Sequence, residues 1–295
     1  MSLRLAVATE DLHSSLQRAI GLAAGLQVPG IRLNARTEIN VSHTTASALR
    51  QTLLYVKERH MRVAGLMCST RHALYDPEFL EPRLDVIRRS MDVVRKLETS
   101  ELVVRCGRIP DPDSVPSEKP TTVSIDEQAN PFSFAPAVAP VAISAASQFS
   151  LLCELLNDLA QHGNHVGCTL NLQLSGYDLR LVRRLLSEVK SGPVGICFDP
   201  ATAVMTGAPV ARTYRDLYSN VGYVRARDAL KDLDGAGVEV AVGDGTVDWC
   251  EFLPTLSEAE FAGWVCVERT GGDDRAADVA RGVTVLKNLL ISPEA

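Results

Sequence analysis

Short apolar segments alternate with longer amphipathic segments along most of the chain. The apolar segments run for three to seven residues, a length typical of strands that are buried on both faces. The amphipathic segments repeat their apolar residues every three or four positions, which is the period of a helix packed on one side. The predicted strands span residues 3–8, 31–33, 62–68, 101–106, 168–174, 194–198, 221–226 and 264–267.

Helices are predicted between nearly all of these strands. The clearest one covers about residues 78–97, where Leu84, Ile87 and Met91 belong to a single apolar stripe. We expect Asp11 and Ser42 to cap the first two helices, because their side-chain oxygens can accept the free amide groups of a first helical turn.

The order of strands and helices predicts the fold class. A helix between two strands returns the chain to the same edge of the sheet, so the strands become parallel. Eight such units predict a single (β/α)8 TIM barrel over residues 1–295, whereas five or six would favour a doubly wound sheet. No GxGxxG or GxxxxGKS/T segment follows a strand, which disfavours the nucleotide-binding alternative.

A proline-rich segment, residues 108–140, interrupts this pattern after the fourth strand. It holds seven of the fifteen prolines, and proline at that density removes amide donors and blocks regular structure. One interpretation is a surface insertion. The other is a lid, because the loops that follow barrel strands lie at the active face.

The composition of the chain limits which partners and which location we expect for the protein. Apolar residues make up 46% of the chain, which is enough for a large core, and the net charge is −6, which disfavours a nucleic-acid partner. No apolar stretch is long enough to span a membrane. The seven cysteines form no CxxC pair, so we expect reduced and mostly buried thiols. No leader-like segment precedes the first apolar run, and we therefore expect a cytoplasmic protein.

Candidate chemistry is expected at the carboxyl ends of the strands, where barrels bind their ligands. Arginine is the commonest residue there, and guanidinium groups suit carboxylate or phosphate ligands. The polar residues at these ends include Arg36, Glu38, Arg71, His72, Arg105, Asn171, Gln173, Asp199, Arg225, Arg227, Asp228, Glu268 and Arg269. Those expected to contact a ligand are Arg36, Arg71, His72, Arg105, Gln173, Arg225 and Arg227.

Four segments in the second half of the chain resemble the xylose isomerase-like family of sugar isomerases and epimerases. GPVGICFDPATAVMTG (192–207) resembles the family's sixth strand, and YVRARDA (223–229) resembles its seventh. GDGTVDW (243–249) is similar to a segment that packs below the family's active mouth, and GWVCVER (263–269) is similar to its eighth strand. The resemblance covers most of the chain and implies a TIM barrel that acts on a small sugar.

The resemblance also implies a ligand set. Family members hold one divalent ion with Glu, Asp, His and Glu from strands five to eight, and carboxylates beside the ion move a proton through an enediol. Asp199 and Glu268 match the acid positions and are the candidate catalytic residues. Gln173 stands where the first Glu is expected, Thr202 where a His often follows the Asp, and Arg225 where the ligand His is expected.

These substitutions decide what we expect of a cofactor. Arginine has no lone pair for a metal, so we expect no metal at this site. Any divalent ion that did bind (Mn, Mg, Zn or Co) would rest on Asp199, Glu268 and Gln173, since an amide oxygen can ligate a hard cation without adding charge. With a shifted alignment, Glu38 or Asp228 would complete such a site.

A second hypothesis follows from the charge that Arg225 adds. Its guanidinium can pair with Asp199 and Glu268 and so replace the divalent ion as their counter-charge. This hypothesis predicts a metal-free barrel whose mouth is lined by arginine–carboxylate pairs. The opposing interpretation is that these pairs form a structural network without any catalytic role.

Three functions remain open from the sequence. The first is an isomerase or epimerase that acts on a small sugar or sugar derivative. The second is a non-catalytic or regulatory barrel that binds a small anion through the mouth arginines. The third is a DNA-repair endonuclease, which shares the barrel but needs several metal ions and many histidines that the strand ends lack, so it ranks last. A homo-oligomer is compatible with each of them.

Overall fold

Eight parallel strands close into a barrel in a computed structural model that describes residues 3–114, 143–231 and 237–291. Their order around the barrel is β1-β10-β7-β6-β5-β4-β3-β2, so each strand pairs with the barrel strand before and after it along the chain. This confirms the predicted (β/α)8 barrel. The strands are β1 (Arg4–Ala8), β2 (Gly30–Asn34), β3 (Arg62–Cys68), β4 (Glu101–Gly107), β5 (Thr169–Leu174), β6 (Val194–Phe198), β7 (Val221–Ala226), β8 (Asp228–Lys231), β9 (Gly237–Val240) and β10 (Trp264–Val267).

Helices cover the outside of the barrel and bury their apolar stripes against it. The predicted helix 78–97 corresponds to an α-helix over residues 80–94 and a 3-10 turn over residues 95–97. The helices are α1 (Thr9–Leu12), α2 (Leu16–Gly25), α3 (Ala46–Lys57), α4 (Leu80–Val94), α5 (Ala145–Val166), α6 (Leu179–Glu188), α7 (Pro200–Thr206), α8 (Val210–Leu217), α9 (Trp249–Glu258) and α10 (Arg275–Ile291).

The two helix caps predicted from Asp11 and Ser42 are wrong. Thr45 caps α3, because its hydroxyl accepts the amide of Ala48 at 3.1 Å, and Ser42 lies three residues before that position. Asp11 lies inside the short helix α1, and its carboxylate faces inward to the amide of Arg269 at 3.0 Å. Burial of Asp11 at the end of the barrel therefore outweighs its preference for a helix cap.

The barrel interior is filled mainly by small and sulfur-containing side chains, with two large rings below the mouth. Residues two apart on a barrel strand point to the same side, so one inward row is formed on each strand. The inner cluster consists of Ala6, Ala8, Ala64, Met67, Val103, Cys197, Tyr223, Trp264 and Cys266. A Cβ atom on Gly30 would lie 2.4 Å from the Trp264 ring, so this ring requires glycine on the neighbouring part of the sheet.

A hairpin of two antiparallel strands, β8 and β9, follows β7 and is not expected from the sequence pattern. The Asp228 carboxylate joins this hairpin to the segment before α9. It accepts the amides of Ala229 at 2.9 Å, Gly243 at 3.0 Å and Val247 at 3.1 Å, and the indole of Trp249 at 2.8 Å. Asp228 is therefore a buried structural acceptor.

Most of the proline-rich segment 108–140 lies outside the described residues. The structure therefore tests neither the surface insertion nor the lid. At its start, Asp111 and Asp113 form ion pairs with Arg180 on α6 at 2.5 and 2.9 Å. Arg184, one turn further along α6, also pairs with Asp113 at 2.9 Å. These exposed pairs attach the beginning of the segment to α6.

None of the helices in the described residues combines the length and the apolar character that crossing a bilayer requires.

Candidate functional site at the barrel mouth

Three neighbouring strands bring charged side chains to the centre of the mouth. On β7, Arg225 follows Tyr223 by two positions, and Glu268 follows Cys266 by two positions at the end of β10. Tyr223 and Cys266 both lie in the inner cluster, so the inward row continues upward to Arg225 and Glu268. Asp199 continues the row of β6 in the same way. The alternation of the strands therefore places these three charges in one layer.

Arg225 lies between two buried carboxylates. Its Nε and Nη2 atoms are each 2.7 Å from Oε2 of Glu268, and its Nη1 atom is 3.5 Å from Oδ2 of Asp199. Asp199 is 0% exposed, Glu268 2% and Arg225 3%. The second oxygen of Asp199 accepts the amide of Thr202 at 3.2 Å and so caps α7. The pairing expected between Arg225 and the two carboxylates is present in the structure.

Two more arginines extend this pairing to both sides. Arg32 on β2 lies 2.9 Å from Oε1 of Glu268 and 2.9 Å from Oε1 of Glu10. Arg227 lies 3.1 Å from Oδ2 of Asp199 and 3.5 Å from Glu239 on the hairpin. Charges therefore alternate in sign across the mouth in the order Glu10, Arg32, Glu268, Arg225, Asp199, Arg227 and Glu239.

Burial and neighbouring charges determine the protonation of this network. Burial alone would raise the pKa of Glu268, but Arg225 and Arg32 hold it below its ordinary value. Burial alone would lower the pKa of Arg225, but Glu268 and Asp199 raise it. Both residues therefore stay charged at neutral pH, and Glu268 is a weak proton acceptor.

Asp11 is the exception at the edge of the network. Burial raises its pKa to about 7, although Arg32 nearby acts in the opposite direction. Its oxygens accept the amide of Arg269 at 3.0 Å and a guanidinium hydrogen bond from Arg275 at 3.1 Å. Asp11 is therefore a carboxyl group of the mouth region that titrates near neutral pH.

A cavity of about 480 Å³ opens above the charged layer. Residues from the ends of seven strands or the loops behind them line it, and they are mostly polar. Asp199 and Glu268 lie beneath its floor and do not line it. Its polar lining consists of Glu10, Ser69, Thr70, Arg105, Gln173, Ser175, Thr202, Thr206, Arg225 and Thr270.

Arg36, Arg71 and His72 do not lie in this mouth cavity, in contrast to the expectation from sequence. Directly after β2, the Asn34 side chain accepts the amides of Arg36 at 2.9 Å and Thr37 at 3.1 Å. Arg36, Arg71 and His72 instead line a neighbouring cavity of about 320 Å³.

The carboxylates considered as alternative metal ligands are also placed elsewhere. The Asp228 carboxylate is already occupied by its four hydrogen bonds beside α9. Glu38 accepts the amide of Asn34 at 2.6 Å and the hydroxyl of Thr9 at 2.8 Å, and burial raises its pKa. His72, Asp76 and Glu78 bring one donor atom each within 4.8 Å of one another, but they lie on the loop between β3 and α4.

Sequence reasoning missed Glu10, Arg32 and Glu239. Arg32 lies inside the apolar stretch of β2, where a charged residue is informative because buried charges require partners. Glu10 comes two residues after the end of β1, so the rule applied to the other strand ends could have identified it. Glu239 belongs to the hairpin, for which the apolar pattern gives no signal.

The polar atoms that reach the cavity determine which interactions the mouth can make with a ligand. The atoms that reach the cavity are the Glu10 carboxylate, the Gln173 amide, several hydroxyls and the guanidinium groups of Arg105 and Arg225. Such a set donates and accepts hydrogen bonds to hydroxyl and carbonyl oxygens. At the positions of the implied metal ligands, Arg225 provides a cation in place of a lone pair.

A family model described as xylose isomerase-like TIM barrel matches residues 22–289. No curated protein matches the chain in sequence.

Solved structures share the whole fold at low sequence identity. A xylose isomerase domain protein from Planctomyces limnophilus superposes with a TM-score of 0.77 at 18% identity, covering 98% of each chain. The apo form of 3-keto-D-glucoside 4-epimerase from E. coli has a TM-score of 0.70 at 14% identity, covering 97% of this chain and 99% of its own. A xylose isomerase-like TIM barrel protein from Mycobacterium smegmatis in complex with magnesium has a TM-score of 0.70 at 14% identity, covering 100% of this chain and 98% of its own.

Proposed function

Since the chain belongs to the xylose isomerase-like TIM barrel family, we propose that its mouth binds a small sugar or sugar derivative without a divalent ion. The sugar epimerase among the structural neighbours supports the choice of ligand. The polar lining of the 480 Å³ cavity supports it as well, because hydroxyl groups of a sugar need both donors and acceptors.

The position of Arg225 between Asp199 and Glu268 carries this proposal. A divalent ion at this point would compete with a fixed cation that already contacts both carboxylates, at 2.7 and 3.5 Å. Gln173 contributes no charge to offset the loss. The residues present therefore do not fit a divalent ion, and Arg225 takes its place as the counter-charge.

The roles of the carboxylates change accordingly. In this proposal Asp199 and Glu268, the catalytic candidates from sequence, are buried counter-ions that hold Arg225 in position. Among the described residues, Glu10 is the carboxylate that reaches the cavity, with 26% of its side chain exposed. Arg225 lines the cavity as well and can donate to a carbonyl or hydroxyl oxygen of the ligand.

Metal content and a divalent-ion titration of the melting temperature test this proposal. We expect purified protein to contain no stoichiometric Mn, Mg, Zn or Co and its melting temperature to stay constant as each ion is added. A matched variant, Gln173→Glu with Arg225→His, restores the ligand types implied by the family and should gain a concentration-dependent rise with Mn²⁺. Stoichiometric metal in the natural protein would contradict the proposal.

One observation favours a second candidate, a barrel that binds a small anion in a regulatory role. Arg105 lines the mouth, and no carboxylate among the described residues pairs with it; its Nη1 atom donates only to the Arg71 carbonyl at 3.2 Å. A sugar acid or sugar phosphate would supply the missing counter-charge. Thermal shifts with neutral sugars, sugar acids and sugar phosphates separate the two candidates, since only the second requires the anionic group.

A further inference from the structure

A second cavity, called here the side cavity, lies beside the mouth between the end of β2, the β3–α4 loop and the start of α4. Its volume is about 320 Å³, and Phe79, Pro82 and Val86 form an apolar wall on α4 and its first turn. Thr70 and five charged or titratable residues, Arg36, Arg71, His72, Glu78 and Arg83, complete its lining. The side cavity thus combines an apolar wall with charged side chains.

The side cavity adjoins the mouth cavity across a single loop. Thr70 lines both cavities. Arg36 Nη1 donates to the carbonyl of Ser69 at 2.8 Å, and Arg105 Nη1 donates to the carbonyl of Arg71 at 3.2 Å. Arginines on both sides therefore hold this loop, and a ligand that occupies both cavities would pass over Thr70.

Phe79 is the unusual residue of the apolar wall. Its side chain is 70% exposed, and its backbone is left-handed with φ +52°. It occupies the N-cap position of α4 without any side-chain cap bond. A left-handed backbone is uncommon for any residue with a Cβ atom and is an outlier for a bulky one. Contact with a ligand in the side cavity accounts for an aromatic ring at this position.

We infer that the ligand of this protein is a sugar derivative with an apolar, aromatic substituent, whose sugar lies in the mouth and whose substituent lies in the side cavity against Phe79. This inference rests on the proposed function, because the sugar must occupy the mouth. A small free sugar would leave the apolar wall unused.

Calorimetric titration with matched methyl and phenyl glycosides of several sugars tests the inference. A phenyl group that covers the wall should bind about tenfold more tightly than a methyl group on the same sugar. Phe79→Ala should remove this difference and leave the affinity for the methyl glycoside unchanged. Leu54→Ala serves as the control, because Leu54 is 57% exposed on α3 and lies outside both cavities.

Each outcome has a separate meaning. Binding of neither glycoside of any sugar would overturn the proposed function and this inference together. Equal binding of methyl and phenyl glycosides would overturn the inference alone. A phenyl preference that survives Phe79→Ala would also overturn it. Phe79→Gly checks the fold, since glycine accepts the left-handed backbone and should not lower the melting temperature.

Discussion

At the scale of single residues, Arg225 shows how one buried cation makes two buried anions acceptable. A carboxylate inside a protein is costly without a partner, and breaking a buried pair leaves that cost behind. Arg225 contacts both Asp199 and Glu268, so its removal affects two charges. Glu268 keeps Arg32 as a second partner, and Asp199 keeps Arg227.

Arg225→Met should lower the free energy of unfolding by about 3–5 kcal/mol, because methionine fills the space but leaves both carboxylates underneutralised. Urea denaturation measures this change. Arg183→Met is the matched control: Arg183 is 60% exposed and pairs with Asp216 at 3.1 Å, so its loss should cost less than about 1 kcal/mol. Equal effects of the two variants would contradict a buried structural role for Arg225.

The stability of the protein should depend on pH through the titration of Asp11. Burial raises its pKa from 3.8 to about 7 in the folded protein, so the folded state holds this proton more tightly than the unfolded chain does. The contribution to stability is complete below about pH 4 and is lost as the pH rises through about 7. The wild-type protein should therefore lose stability relative to Asp11→Asn over this range, on the order of 1 kcal/mol per pH unit.

Urea denaturation of both proteins between pH 5 and pH 8 checks this sign. Parallel stability curves would show that Asp11 does not titrate in this range. A wild-type protein that gains stability over the variant as the pH rises would mean that Asp11 behaves as an ordinary ion-paired carboxylate, with Arg275 rather than burial in control.

Individual residues show which parts of the site could be predicted from the sequence. The positions of Arg225, Asp199 and Glu268 followed from strand ends, because inward rows on parallel strands converge at the mouth. The position of Arg36 did not follow, because the turn at Asn34 depends on side-chain hydrogen bonds that strand periodicity does not encode. Arg71 lies in the loop after β3, whose path the strand pattern does not predict either. Glu239 was missed because it belongs to the hairpin, which the apolar pattern does not mark.

At the scale of elements, helix ends depend on which polar residue reaches the first free amides. Thr45 accepts the amide of Ala48 and so fixes the start of α3, whereas Ser42 lies in the preceding turn. The sequence offers three residues of a capping type within four positions, Ser42, Thr44 and Thr45. Only the backbone path from the end of β2 decides between them.

Thr45→Ala should lower the free energy of unfolding by about 1 kcal/mol, because it leaves an amide of the first turn of α3 without its acceptor. Ser42→Ala is the matched control, and it should change stability by less than about 0.5 kcal/mol. Thermal or urea denaturation of the two single variants measures the difference. A larger effect at Ser42 would mean that the helix begins earlier than residue 46.

Strands were predictable because burial on both faces gives a short continuous apolar run. Long helices were predictable because burial of one stripe repeats the apolar residues every three or four positions. The hairpin of β8 and β9 was not predictable in the same way. Leu230 and Val238 pair across it and are 43% and 56% exposed, so the apolar pattern does not mark its buried face. Asp228, which attaches it, resembles a ligand residue in sequence and becomes a structural acceptor only through distant amides.

At the scale of the whole molecule, the seven cysteines differ in how deeply the closed barrel buries them. Five of them are buried, Cys153 is intermediate and Cys250 is exposed on α9. Cys197 and Cys266 belong to the inner cluster, where burial raises their thiol pKa. Accessibility and thiolate content together decide how fast a thiol reacts.

A thiol reagent should therefore modify Cys250 first in the folded protein, and all seven cysteines only after denaturation. Burial raises the pKa of Cys153 to about 11, so its reaction should be much slower. Absorbance of the released chromophore, with and without denaturant, measures both stages. Cys250→Ser should remove the fast stage, and a fast stage that persists would show that the barrel opens on the time scale of the reaction.

The contacts of Arg225 also restrict how this chain can evolve. A neutral residue at position 225 would leave the anions at positions 199 and 268 without their shared partner. Substitutions at these three positions are therefore not independent. Among homologous chains with acids at 199 and 268, positions 173 and 225 should therefore change together: arginine at 225 with glutamine at 173, or histidine at 225 with glutamate at 173 and a divalent ion as the counter-charge. Intermediate combinations should be rare, because each passes through a barrel with an uncompensated interior charge.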